Sequence, residues 1–219
     1  MDLLKTLDIK QLIILEEFIK GNNVFMSGPG GTGKSYLINA IKHICLQSKK
    51  NFDITAMTGC AAVIINGKTI HSWGGTGIIS SNDINYYIKK IMQNKKHTNW
   101  IDIDVLIVDE VSMLSKKSFI ILDKIAKRLR KNDKPFGGFQ LVFSGDFYQL
   151  PPVNKDKSDI DASMYCFEAD IWSETFHTIH VLTKIFRQDG KVFSKLLNNI
   201  RIGNISKSNL EALQSRIIP

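Results

Sequence analysis

Cysteine is scarce in this 219-residue sequence, and the three present, Cys45, Cys60 and Cys166, are widely spaced, odd in number and outside any C-x-x-C pair. That usage excludes a disulfide framework and a thiolate zinc site, and it fits free thiols in a reducing compartment. No apolar run approaches the ~18 residues of a membrane span, and the start, MDLLKTLDIK, lacks the charged-then-apolar layout of a secretory signal. The expectation is a soluble intracellular protein without a membrane partner. No Ser-His-Asp or Cys-His constellation stands out. His177-x-x-His180 falls in an expected strand, where that spacing sends the two rings to opposite faces, so both are read as structural. Repeats and low-complexity segments are missing as well.

What remains is ordinary globular material with a basic tilt. Hydrophobic residues make up 43% and charged residues 23%, which suits neither disorder nor a fibrous class. The length accommodates one sizeable core, so residues 1–219 are expected to form a single α/β domain. Lysine plus arginine exceed aspartate plus glutamate by 29 to 21, a net +8 that suits a polyanionic partner. The basic clusters at Lys49-Lys50, Lys89-Lys90, Lys95-Lys96 and KRLRK, Lys127–Lys131, read as solvated helix faces that steer nucleic acid without gripping it.

Short apolar runs alternate with longer helical patterns. Asn23–Met26, Phe52–Ala56, Val105–Val108, Leu141–Ser144 and His177–Leu182 read as strands; Ile9–Lys20, Lys34–Gln47, Ile84–Gln93, Ser118–Lys131 and Val192–Ile200 read as helices. This βαβ alternation predicts a mostly parallel sheet with helices on both faces. The polar stretch Asn154–Ser163 reads as an exposed loop.

GPGGTGKS, Gly28–Ser35, follows the first expected strand and opens the next helix, the setting a phosphate-binding loop requires. Gly28, Gly30, Gly31 and Gly33, with Pro29 and Thr32 between them, let backbone N–H groups turn inward around phosphates. Lys34 then reaches the β- and γ-phosphates, and Ser35 is placed to ligate Mg²⁺. VLIVDEVSML, Val105–Leu114, supplies an apolar strand ending in Asp109-Glu110. Alone, that pair could be a polar strand end or a helix cap. With the loop upstream, Asp109 is read as the magnesium partner and Glu110 as the base for an attacking water. Asp8-x-x-Gln11 before an apolar helical run makes a capping box, and Gln11 stands equally as cap or as nucleotide ligand.

Further motifs follow in order: ITAMTGCAA (Ile54–Ala62), KTIHSWGG (Lys68–Gly75), the run from Leu122 into GDFYQLPPV (Gly145–Val153), and LTKIFRQ (Leu182–Gln188). Together these resemble the first motor half of superfamily-one, subclass B DNA helicases of the PIF (petite integration frequency) family, with RecD-type helicases as more distant relatives. The resemblance implies a RecA-like domain that hydrolyses ATP with Mg²⁺ and moves 5′ to 3′ on single-stranded or forked DNA. A monomer is expected, with cellular work in replication, repair, recombination and telomere maintenance.

The resemblance also assigns residues. It gives Gln11 to the adenine, Gln149 to the γ-phosphate and Arg187 to the arginine finger. Thr58, Gly59, His71, Ser72, Trp73, Tyr148 and Pro151 fall on the DNA side. On residue type alone, Trp73 could equally be core, and Thr58 and Ser72 loop caps, while Trp100 and Trp172 read as packing. Met57 and Cys60 depart from the small polar and aliphatic residues usual at their positions. No counterpart of the later motifs follows RIIP, so a second motor half is expected downstream or in trans. The alternative is a nucleotide- and DNA-binding module without autonomous unwinding; a loader or packaging ATPase fits the GDFYQLPP and LTKIFRQ segments less well.

Overall fold

The runs Val105–Asp109 and Gln140–Gly145 are buried at every position, as strands covered on both faces must be. The computed structural model, which describes residues 6–154, 156–186 and 191–217, sets them at the centre of a six-stranded sheet. In chain order the strands are β1 (Val24–Ser27), β2 (Phe52–Ala56), β3 (Lys68–Thr69), β4 (Val105–Asp109), β5 (Gln140–Gly145) and β6 (Ile179–Val181). Their lateral order is β3-β2-β4-β5-β1-β6, and every pairing between these strands is parallel.

The helices are α1 (Ile9–Ile19), α2 (Lys34–Gln47), α3 (Gly59–Ile64), α4 (Ile70–Gly74), α5 (Ile84–Gln93), α6 (His97–Asp102), α7 (Lys116–Arg130), α8 (Ile171–Thr175), α9 (Lys191–Arg201) and α10 (Lys207–Gln214). Pleating divides the strand side chains between two cores. Val24, Met26, Val105, Ile107 and Val142 meet Ile14 and Phe18 of α1 and Leu37 and Ile41 of α2. Phe25, Leu106, Val108, Leu141 and Phe143 face the opposite layer, where Tyr87, Trp100, Phe119 and Trp172 pack.

The expected strands and helices are present with ends shifted by a residue or two. Missing from the sequence reading are α10, with eight residues, β3, with two, and the short α3, α4, α6 and α8, with five or six each. Fewer than two turns show no apolar period, and these short helices are set by packing, with Thr58 and Thr69 capping α3 and α4. The loop after Pro152 is fastened more firmly than its polarity suggests. Asn154 Nδ2 donates to the Asp159 carbonyl at 2.8 Å, and the buried Lys117 ammonium pairs with the Asp159 carboxylate at 2.5 Å.

The cluster from Lys127 to Lys131 also departs from its reading as a solvated face. Lys127 pairs with Asp123 at 2.9 Å, and Asp123 accepts the Phe136 N–H at 2.7 Å. Arg130 Nη1 donates to the carbonyls of Trp100, Ile101 and Ile103 at 3.0, 2.7 and 3.0 Å, and its Nε donates to Gly137 at 2.8 Å. One guanidinium thus closes the C-terminal end of α6 and holds the entry to β4, using the fork geometry that distinguishes arginine from lysine. Arg130→Ala leaves those carbonyls without their donor and should cost about 2–3 kcal/mol, or roughly 5–10 °C in Tm for a chain this size. Arg130→Lys should restore only part of the loss. Thermal unfolding by circular dichroism checks this, and an unchanged Tm for the alanine variant would refute the role.

Candidate nucleotide-binding site

Register brings the chemistry together. Ser27 pairs with Gly145 and Val108 with Phe143, so β1, β5 and β4 end level with one another. Beyond those ends come the glycine loop, the Asp146 turn and the Asp109-Glu110 pair, at the edge where open parallel sheets receive ligands. Gly31, Lys34, Ser35, Asp109, Glu110 and Gln149 border one cavity of about 280 Å³, together with Gly30, Gly33 and the half-exposed Tyr36 and Phe186.

The glycine loop is braced from within and from outside. Thr32 Oγ1 donates to the Pro29 carbonyl at 2.8 Å, and Lys34 Nζ donates to the carbonyls of Gly28 and Pro29 at 2.6 and 3.1 Å. Gly33, with φ +85°, caps α2, and a methyl group there would come within 2.5 Å of Gln11 Nε2. Gln11 is buried and serves the capping box as well: its Oε1 accepts the Asp8 N–H at 3.0 Å while its own N–H donates to Asp8 at 2.9 Å. The cap reading is therefore realised, with the amide nitrogen still against the loop. Residues 182–186 run back over the same turn, where the N–H groups of Leu182 and Phe186 donate to Ser27 and Gly31, both at 2.8 Å. Arg187 itself lies outside the described residues.

Glu110 adopts φ 56° and ψ 42°, a left-handed conformation that costs an L-residue about 1–2 kcal/mol. The turn it makes tucks Val111 against Gly145, whose absent side chain leaves the room: a methyl there would lie 2.9 Å from the Val111 nitrogen. Burial raises the Glu110 pKa above the ordinary glutamate value; neighbouring Asp109 adds to this, and Lys34 opposes it. Burial likewise lowers the Lys34 pKa, against the pull of Asp146, Glu110 and Asp109.

Two residues without an assigned role prove central. Asp146, 1% exposed, receives Arg201 Nε and Nη2 at 2.6 and 2.7 Å in a two-pronged contact. It also accepts the Tyr148 N–H and the Gln149 Nε2, each at 3.3 Å, while the Arg201 guanidinium lies 4.5 Å above the Tyr148 ring. Burial alone would raise the Asp146 pKa, but the Arg201 hydrogen bonds, helped by Tyr148 and Lys34, bring it below the usual aspartate value. The last helix expected from the sequence ends at Ile200, one residue short of Arg201. A cation closing an amphipathic helix was its only signal.

On the proposed DNA side, Gly59, Ser72, Tyr148 and Pro151 are exposed, and Thr58 and His71 are half-buried. All follow the C-terminal ends of β2, β3 or β5, so they share the sheet edge with the glycine loop. Thr58 caps α3 by accepting the Ala61 N–H at 3.2 Å, and burial lowers the His71 pKa, which keeps that ring neutral at pH 7. Trp73 does not join them. Its indole is fully buried, donates Nε1–H to Asp53 at 2.8 Å and packs 4.9 Å from Trp100, so the core reading is correct and the ring cannot stack on a base.

Arg201→Ala would strand the buried Asp146 carboxylate. Because Arg201 keeps 18% exposure, the loss should fall near the lower end of the usual range for a broken buried pair, about 3 kcal/mol. A carboxylate whose folded pKa is depressed contributes stability above its unfolded value, 3.8, and loses it as pH falls through the folded value. Urea unfolding at pH 7 should therefore separate Arg201→Ala from the parent, and the gap should narrow toward pH 3; a gap independent of pH would contradict the pairing.

The PIF1-like helicase family model matches residues 8–211. The ATP-dependent DNA helicase RRM3 of Saccharomyces cerevisiae is 43% identical over 190 residues, covering 85% of this chain and 26% of the yeast protein. The crystal structure of the Pif1 helicase from Candida albicans aligns with a TM-score of 0.86 at 41% identity, over 94% of this chain and 46% of that one. A Pif1 helicase from Bacteroides, solved in complex with ADP-AlF3 and ssDNA, aligns with a TM-score of 0.76 at 30% identity, over 97% of this chain and 51% of that one. The chain thus spans about a quarter of the yeast relative and about half of the solved helicases. With its phosphate-loop motif and strand-end carboxylates in place and a match running almost end to end, the chain belongs to the PIF1-like helicase family.

Proposed function

We propose that this chain is the first motor domain of a DNA helicase, a RecA-like unit that binds and hydrolyses ATP and contacts single-stranded DNA. The observation that carries the reading is the shared cleft: Lys34, Ser35, Asp109 and Glu110 border one cavity at the glycine loop. Lys34, already poised on the loop carbonyls, would exchange them for β- and γ-phosphate oxygens. One hydroxyl and one carboxylate fit Mg²⁺, which keeps few protein ligands and shares phosphate oxygens. Ser35 and Asp109 would hold it, and bound there it would neutralise charge on the phosphates. Glu110 would take the proton of the attacking water, for which its raised pKa suits it. Gln149 would contact the γ-phosphate, Gln11 the adenine, and Arg187 would stabilise transition-state charge.

Family membership and the ssDNA in the Bacteroides complex support Thr58, Gly59, His71, Ser72, Tyr148 and Pro151 as the strand-contacting set. Movement 5′ to 3′, forked substrates and a second motor half all belong to the same proposal. Steady-state ATP hydrolysis with Mg²⁺, measured with and without single-stranded DNA, tests it. Turnover stimulated by DNA is expected, and Glu110→Gln should lower it by roughly 10²–10⁴-fold with ATP affinity retained. The acid limb of the wild-type profile should lie above pH 4.5, the ordinary glutamate value, because the base must be deprotonated to act. ATP binding without turnover in the wild type would favour a binding module over a motor.

A further inference from the structure

Beside the strand-contacting set lies a second cavity, of about 600 Å³, bordered by Thr69, His71, Ser72, Lys90, Asn94 and Lys96. It sits past β3, the edge strand of the sheet, where the chain turns from α4 into the segment leading to α5. None of its bordering residues is acidic. Among the described residues, neither Lys90 nor Lys96 has a carboxylate within salt-bridge distance. Lysines on a solvated face extend into water, as the exposed Lys89 and Lys95 do; Lys90 and Lys96, their immediate neighbours, are half-buried.

The main chain makes room for them. Gly75 and Gly77 have φ of +69° and +63°. A methyl group on Gly75 would come within 2.8 Å of Lys96 Cβ and Cγ, and one on Gly77 within 2.7 Å of Lys90 Nζ. The Lys96 stem and the Lys90 ammonium end therefore lie against bare backbone. Asn94 Nδ2 donates to the Gly75 carbonyl at 3.1 Å, which ties that backbone to the C-terminal end of α5. Lys90 also lies 5.9 Å from the Tyr86 ring centroid, a contact that holds the stem without neutralising its charge. With His71 kept neutral by burial, Lys90, Lys96 and the exposed Ser72 border one open space that carries no acidic residue.

We propose that this cavity is a backbone-phosphate subsite for single-stranded DNA, lying beyond Ser72 at the β3 edge, with Lys90 and Lys96 as its cationic ligands. The proposal rests on the strand-contacting role given above to His71 and Ser72, and it corrects the reading of these lysines as charges that steer without gripping. A phosphodiester would supply the missing negative charge, and contact through the backbone suits a protein that must accept every sequence.

Counterion release gives a direct test, because each phosphate neutralised on a single strand contributes ~0.7 to the slope of log affinity against log salt. Binding of a fluorescent oligo-dT and of a mixed-sequence strand would be measured across a salt series for the parent, Lys90→Gln/Lys96→Gln and Lys89→Gln/Lys95→Gln. The first variant should lower the slope by about 1.4 and weaken both strands equally, while the second, with the same net charge, should lower it by less than about 0.5. Lys96→Gln alone should give about half the full change, and it provides the reading if the double variant fails to keep the parent's circular dichroism spectrum and Tm. Strand binding with equal slopes in the two double variants would overturn the subsite and leave the proposed function standing. Failure of the parent to bind either strand would overturn both.

Discussion

The parallel register of β1, β4 and β5 is the constraint on which the rest of the site depends. Side chains far apart in sequence, Lys34, Asp109 and Gln149, meet because the three strands end level, with Ser27 opposite Gly145 and Val108 opposite Phe143. A slip of one residue in any strand would exchange its two faces, sending Val105 and Ile107 toward the aromatic layer and Leu106 and Val108 toward α1 and α2. The apolar pattern that builds the two cores therefore also fixes the geometry of the cleft.

Within the cleft, charge is arranged so that a small exchange of partners can travel. Asp146 holds Arg201 tightly through two short contacts, but it holds Gln149 Nε2 at only 3.3 Å. The weaker contact is the one a γ-phosphate would replace under the proposed role of Gln149. Arg201 closes α9 and lies over the Tyr148 ring, so the proposed nucleotide contact Gln149, the proposed DNA-facing tyrosine and α9 meet at one buried carboxylate. Lys34 feels that carboxylate as well, which links the glycine loop to the same group.

Much of this was legible in the sequence because it rests on local rules. Apolar runs, continuous in β1, β4 and β5 and broken by Asp53 and Thr55 in β2, announced these strands, the glycine spacing announced the loop before α2, and the RecA-like sheet expected from the resemblance is the one found. What escaped depends on contacts distant in the chain. Arg130 looks like one more lysine-rich helix charge until the carbonyls of α6 are placed beside it. Trp73 has the right residue type for a base platform, and only its bond to Asp53, twenty residues upstream, assigns it to the core. Arg201 gains meaning from Asp146, fifty-five residues away, and Lys90 and Lys96 differ from Lys89 and Lys95 only once Gly75 and Gly77 are folded beneath them.

A crystal structure of this chain with Mg²⁺ and a non-hydrolysable ATP analogue would show whether the three strand ends build one cleft for Mg-ATP coupled through Asp146. The terminal phosphates should lie between Lys34 and Asp109, with the Gln149 amide moved from Asp146 to the γ-phosphate and Arg201 still paired with Asp146. Nucleotide bound away from the glycine loop, or bound there with Gln149 unmoved, would contradict it.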